Sequence, residues 1–214
     1  MHVAWLYLGP FLQGTGVTLE LTIVSTVVAL VAGILGALGM IHGGKILRAV
    51  LVVYVELVRG LPPILQLFII FFGLTQFGVQ LDAFSAALIW LMVYGAGYAI
   101  EVFRAGIQDV SEGQWEAARS VGMGYFTTLR KIILPQAFAL MMPELTNFTV
   151  LQLKNTTFVF FIGVADIMYQ AQQGAASTEQ PQVMFVMAAL FYLVLNGGIS
   201  RVAALVERRL TAYR

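Results

Sequence analysis

The chain has 214 residues, 59% of them hydrophobic and 11% charged, with a mean hydropathy of +0.85 and a formal net charge of +1. Soluble domains carry about 25% charged residues, so this composition indicates an integral membrane protein, and its near-neutral charge leaves no footprint for nucleic acid. The absence of cysteine excludes disulfides, thiol catalysis and zinc–thiolate sites, and His2 and His42 are too far apart in sequence to suggest a metal site.

The opening "MHVAWLYLGPFLQGTG" lacks a positive n-region and does not read as a cleaved signal peptide. Five apolar stretches follow, predicting about five transmembrane helices in one domain, 1–214: Gly16–Met40, Val50–Leu74, Phe84–Phe103, Ile132–Val164 and Val183–Ala204. Glu20 in the first stretch is placed against a partner subunit. Trp5, Tyr7 and Trp90 read as interfacial anchors or packing residues. Lys45 and Arg48 lie between stretches one and two. Arg104, Arg119, Arg130 and Lys131 lie between three and four, and Arg201 at the end of the fifth is followed by Arg208, Arg209 and Arg214. The connections "TQFGVQLDA" and "DIMYQAQQGAASTEQPQ" contain no basic residue. The positive-inside rule then places the N-terminus outside and the C-terminus in the cytoplasm.

Two other basic residues, Arg59 and Lys154, fall well within stretches, where a charge is costly unless it faces a bundle interior or a wet cavity. In the second stretch, "YVELVRGLPPILQ" places Glu56 and Arg59 at a spacing that can pair them on one helical face. Gly60, Pro62 and Pro63 must disturb that helix. Freed backbone groups survive in a bilayer only inside protein or around a wet cavity. The segment through Gln66 is thus either a kinked packing helix or a bend that lines or gates a pathway. In the third stretch, Glu101 and Arg104 read as an anchoring pair.

Between stretches three and four, "SEGQWEAARSVGMG" reads as a short cytoplasmic helix within about residues 109–128. Ser111 is a suitable N-cap, with Gln114 completing a capping box; Glu112 and Glu116 suit the N-terminal dipole, and Gly122 is a C′ stop. Trp115, Ala118, Arg119 and Gly122 share one face. A helix resting on lipid headgroups is expected to be rich in Lys and Arg with large apolar anchors. Two acids, one base and small alanines fit a docking element better. "YFTTLRKIIL" then leads to Pro135, which can open the next span.

The fourth stretch is too long. As one helix its 33 residues would span about 50 Å, against a hydrocarbon core of about 30 Å. Pro135, Pro143 and "QLKNTT" are the candidate breaks. Broken helices near mid-membrane mark binding sites in transporters. Glu144, Asn147, Lys154, Asn155 and Thr156 are therefore candidates for lining a pathway, the other reading being hydrogen bonding between helices alone.

"GQWEAARSVGMGYFTTLRKIILPQA" resembles the EAA signature of ABC importer permeases, through Glu116, Ala117, Ala118, Gly122, Ile132, Leu134 and Pro135. "VRGLPPILQLFIIFFGL", "EVFRAGIQDVSEGQWEAA" and "LKNTTFVFFIGVADI" resemble the polar amino acid branch, so the resemblance covers roughly Gly14 to Arg209. Leu61 stands where that branch commonly has Thr, Asn155 where many members have Asp, and Glu144 where many have a small residue or Pro. The resemblance implies an all-α integral membrane protein with the type I ABC importer permease fold, in a prokaryotic cytoplasmic (inner) membrane. It implies a coupling helix, carrying Gln114, Glu116, Ala117, Ala118, Arg119 and Gly122, that docks on a cytoplasmic ABC ATPase dimer. ATP and Mg would sit on those partner subunits, with no cofactor bound by this chain. A second permease chain and an extracytoplasmic amino-acid-binding protein are implied too. The competing readings are a stand-alone ion-coupled transporter or channel, which five spans and a docking helix do not favour, and a membrane enzyme, for which no nucleophile–base or metal constellation is present.

Overall fold

The computed structural model describes residues 2–211, so Arg214 of the terminal basic cluster lies outside the described residues, as do the side chains of Arg208 and Arg209. The described residues are helices joined by short turns and loops, with no strand among them. The order is α1 (His2–His42), α2 (Lys45–Gly60), α3 (Pro63–Phe68) continued by π and 3₁₀ turns to Phe77, α4 (Ala83–Gln108), α5 (Glu112–Ser120), α6 (Tyr125–Thr128), a π turn (Leu129–Ile133), α7 (Leu134–Asn155), a 3₁₀ turn (Thr156–Ile162), α8 (Ile167–Thr178) and α9 (Pro181–Thr211). Among the described residues, three helices are singly long and apolar enough to cross a membrane, and up to five crossings result if each of two bent pairs counts as one.

The most extensive packing joins α1 to α4. Small residues make it possible, since backbones must approach closely where lipid is as apolar as leucine. A Cβ on Gly33 would lie 2.4 Å from the Ala99 Cβ, and the buried alanines Ala29, Ala37 and Ala99 continue the seam. Two hydroxyls of α1 are absorbed by its own backbone: Thr15 donates to the Phe11 carbonyl at 2.8 Å and Thr22 to that of Thr18 at 2.7 Å. The opposite face of α1 exposes Ile23, Val27, Val31 and Leu35 at helical spacing, and α9 exposes Val186, Leu190, Leu193 and Val194. These are the surfaces that a bilayer would solvate.

The predicted second span is not one continuous helix. It breaks at Leu61–Pro62 into two helices bent by 112°. Pro62 lacks the N–H that would have met the Val58 carbonyl. The Gln66 amide replaces it, donating to Val58 O at 2.8 Å and to Leu61 O at 2.9 Å. Gln66 is itself buried, so this expected pathway residue is used in building the bend.

The fourth stretch changes its helical form at two of its three candidate breaks. A π turn precedes Pro135, and the α-helix tightens to 3₁₀ at Thr156 within "QLKNTT". Pro143, the third candidate, sits inside a continuous α7. That helix has 22 residues and packs on α1, α4 and α9, so loss of one donor does not open it. The segment expected as a plain connection after Val164 is mostly helix α8, bent by 47° from the preceding helix.

The two ends of the bundle are tied separately. Near the start of α1, the Tyr7 hydroxyl meets Ser177 of α8; at its other end, His42 meets Tyr125 beyond α5. Residues 165–181 and the start of α1 therefore share one side, and α5 lies on the other with Lys45 and Arg48. Leucine at Gln66 would strand two carbonyls at the bend. An unsatisfied buried group costs about 1–3 kcal/mol, so Gln66→Leu should lower the thermal unfolding midpoint of the detergent-purified protein by several degrees.

Candidate functional site

The helix after α4 is built much as its residues dictate, with one exception. Ser111 caps α5 by accepting from the Gly113 amide at 3.3 Å. The reciprocal half of the expected capping box is not made, because the Gln114 side chain instead accepts from Gln136 at 3.0 Å. The exit follows expectation. Gly122 has φ +77°, its amide donates to Arg119 O at 3.0 Å, and Met123 donates to Ala118 O at 3.0 Å. That double bond pattern is a Schellman motif, which needs a left-handed residue at C′.

The face expected to be offered outward divides. Trp115 packs against the cluster that includes Val110, Leu129 and Ile133, and Ala118 is 2% exposed. Ala118 is therefore not available for docking: the apolar half of α5 is consumed by the chain's own core, where burial of apolar area is favourable. Gln114, Glu116, Ala117 and Arg119 remain exposed, together with Gly122. Two residues that helix periodicity did not flag flank them, Val121 at 74% and Phe126 at 82% exposure. Their signal was available, as single apolar residues set in an otherwise polar connection.

Glu144, Asn147 and Lys154 lie on one exposed face of α7 and line an open cavity of about 350 Å³ with Tyr98 and Val102 of α4. Because α7 is continuous through them, Glu144 and Lys154 remain about 15 Å apart along its axis. The bend considered as a means of bringing them together is absent. Asn155 and Thr156 are turned into the interior and do not line this cavity. Thr156 donates to Leu153 O at 2.7 Å and lies 3.5 Å from the Tyr192 hydroxyl. Tyr192 in turn donates to Asp166 at 3.2 Å, and Asp166 caps α8 by accepting from the Tyr169 amide at 2.8 Å.

A second cavity, of about 380 Å³, is lined by Arg48, Glu56, Glu101, Arg104 and Gln108. Glu56 does not pair with Arg59 as their spacing suggested. Arg59 reaches across to Glu101 of α4 at 3.8 Å and lies 6.0 Å above the Tyr98 ring. Glu101 is already held by Arg104, whose guanidinium donates to both carboxylate oxygens at 2.7 and 3.1 Å, as the anchoring pair predicts. Arg59 thus touches one residue from the lining of each cavity. Gly60 and Pro62 lie exposed at the adjacent bend.

Comparison with known proteins gives a consistent match. Residues 25–212 match the family described as binding-protein-dependent transport system inner membrane component. The chain is similar to the L-cystine transport system permease protein TcyB of Bacillus subtilis, 38% identical over 92% of this chain and 84% of that one. It is also similar to the arginine transport system permease protein ArtQ of the same organism, 36% identical over 94% and 93%. Among solved structures, an amino acid ABC transporter crystallised with histidines superposes with a TM-score of 0.89 at 35% identity, covering 95% of each chain.

The C′ position gives a direct test of α5. Gly122→Val places a β-branched side chain in the left-handed region, at a cost of about 1–2 kcal/mol. Amide hydrogen exchange across residues 118–124 should quicken, while α4 and α7 keep wild-type protection.

Proposed function

The chain belongs to the family of binding-protein-dependent transport system inner membrane components, as the permease subunit of an amino acid ABC transporter, and we propose that it carries a polar amino acid along the Tyr98–Glu144–Lys154 face. ATP hydrolysis belongs to a separate subunit; the ATP and Mg would sit there, as a dimer beneath two permease chains. The family name itself implies a binding protein that delivers solute and a location in the inner membrane. In our reading the α5 side faces the cytoplasm, with the N-terminus and residues 165–181 outside. The one-sided lysine and arginine distribution supports it.

The observation that carries the pathway reading is the shared cavity of Glu144, Asn147 and Lys154. A free amino acid presents an ammonium and a carboxylate, and each needs a partner away from water. Glu144 suits the ammonium or a basic side chain, and Lys154 the carboxylate. At about 15 Å apart they do not hold one small solute together. The solute would meet them in turn, or meet one of them together with groups from the second permease chain. Arg59, between the two cavities, is placed to hand a carboxylate toward the Glu56–Arg104 side. Asn155 and Thr156 support α7 from behind in this scheme.

Reconstituted transporter tests this by competition among acidic, neutral and basic amino acids. Glu144→Gln should lower preference for basic solutes about tenfold or more, the scale of a charge-assisted hydrogen bond, while assembly with the ATPase stays normal. An unchanged competition profile in both Glu144→Gln and Lys154→Gln would remove this site. The orientation is checked separately on the cysteine-free background. Cysteines at Ser120 and Thr178 should react with an impermeant thiol reagent from opposite sides, Ser120 only from the cytoplasmic side.

A further inference from the structure

The docking helix is attached to α4 and α6 through the chain, and an aromatic residue of α6 ties it on to the far end of α1. Tyr125, just past the Gly122 stop, stacks on Trp115 of α5 with ring centroids 5.2 Å apart and planes at 15°. The same tyrosine ring meets His42 edge-on at 4.8 Å, and its hydroxyl hydrogen-bonds the histidine Nε2. His42 is the last residue of α1, 83 positions away in sequence. Its Nδ1 lies 3.2 Å from the Leu38 carbonyl. With the proton on Nδ1 donated to Leu38, Nε2 is left to accept from the tyrosine, so both ring nitrogens are satisfied in one neutral tautomer.

The end of α1 is itself held firm. Arg48 donates to Met40 O at 2.8 Å and to Ile41 O at 3.1 Å, closing carbonyls that a helix terminus leaves open. At 41 residues α1 is about 60 Å long, twice the hydrocarbon thickness, so its last turns extend beyond the core toward α5. A cavity of about 410 Å³ lies beside the stack, bordered by His42, Gln108 and Glu112. Apolar packing between the end of α1 and α5 is therefore incomplete on this side, and the polar link spans the gap.

We propose that His42 and Tyr125 form a latch that makes α1 and the docking helix move as one body, His42 acting as a positioning residue for coupling. The proposal rests on the docking role of α5. With the latch, displacement of α5 by the ATPase reaches α1 directly, and through the close α1–α4 seam it reaches the cavity wall at Tyr98. Without it, α5 can rotate against α1 over the open cavity and part of the stroke is lost.

The test uses the transporter assembled with its ATPase subunit in proteoliposomes, with a radiolabelled amino acid mixture as solute. Tyr125→Phe keeps the stack and removes the hydroxyl; His42→Leu removes the acceptor; His42→Gln keeps a polar partner. The first two should retain the ATPase subunit and hydrolyse ATP, but carry roughly threefold or more less solute per ATP, the scale of one net hydrogen bond. His42→Gln should recover most of it. In the His42→Cys/Tyr125→Cys double variant, a short bismaleimide should restore uptake per ATP. Wild-type uptake per ATP in both single variants, or arrest of transport by the crosslink, overturns the latch. Loss of the ATPase from the wild-type chain on masking α5 is measured in the same samples. If the ATPase stays bound with α5 masked, the docking reading fails, independently of the latch.

Discussion

The amide of Gln66 holds two backbone carbonyls that the Pro62–Pro63 break would otherwise leave bare, and the rest of the bundle follows the same constraint. In a bilayer every peptide group must find a partner within the protein. Gln152 of α7 makes a related contact between two helices. Its amide donates to Leu91 O at 2.9 Å and reaches that carbonyl because position 95 is glycine; a Cβ there would lie 2.5 Å from the Gln152 nitrogen. Asp166 and Thr18 meet the backbone's demand where α8 begins, accepting from the Tyr169 and Ile167 amides at 2.8 and 3.3 Å. Gln66, Asp166 and Thr18 thus stand at breaks, where they replace helical hydrogen bonds, while Gln152 ties two unbroken helices together.

This has a mechanical consequence. A break whose freed groups are capped by specific side chains has a defined angle. Motion in such a molecule is expected as rigid displacement of whole helices about a few points, and closely packed cores favour discrete rearrangements over smooth deformation. The helix α5, closed at Ser111 and at Gly122, fits a chain organised this way: it is short, has both ends satisfied, and turns its apolar side onto the protein that it would move.

How far the sequence could be read depended on whether a signal was local. The Schellman stop at Gly122 and the Glu101–Arg104 pair each involve neighbours within one turn, and both emerge from spacing alone. So do the apolar spans of α1, α4 and α9, because continuous hydrophobic length is a local property. The pairing of Arg59 was misjudged, since spacing offered Glu56 and the fold offered Glu101, on another helix and already ordered by Arg104. The inward turn of Ala118 and Trp115 was equally hidden. An amphipathic face shows that something covers it, but not whether the cover belongs to the same chain. Tyr98, Tyr192, Asp166 and His42 lie in apolar or unremarkable surroundings in the sequence, and only the packing of α1, α4, α8 and α9 brings them to their partners.

Arg59 shows how the two kinds of information combine. A charge in an apolar stretch demands compensation, and that much is legible from one residue. The structure adds the quality of the compensation. Glu101 gives both of its oxygens to Arg104 at 2.7 and 3.1 Å, and stands 3.8 Å from Arg59, whose side chain keeps half its exposure. Arg59 is therefore the more weakly neutralised of the two cations around one carboxylate. Direct charge-assisted hydrogen bonds are shorter, near 2.8 Å, and stronger than such a separated pair. In the proposed pathway, a solute carboxylate can approach Arg59 without first breaking the tight Glu101–Arg104 fork, and Arg104 keeps Glu101 from becoming a buried unpaired charge while Arg59 is engaged.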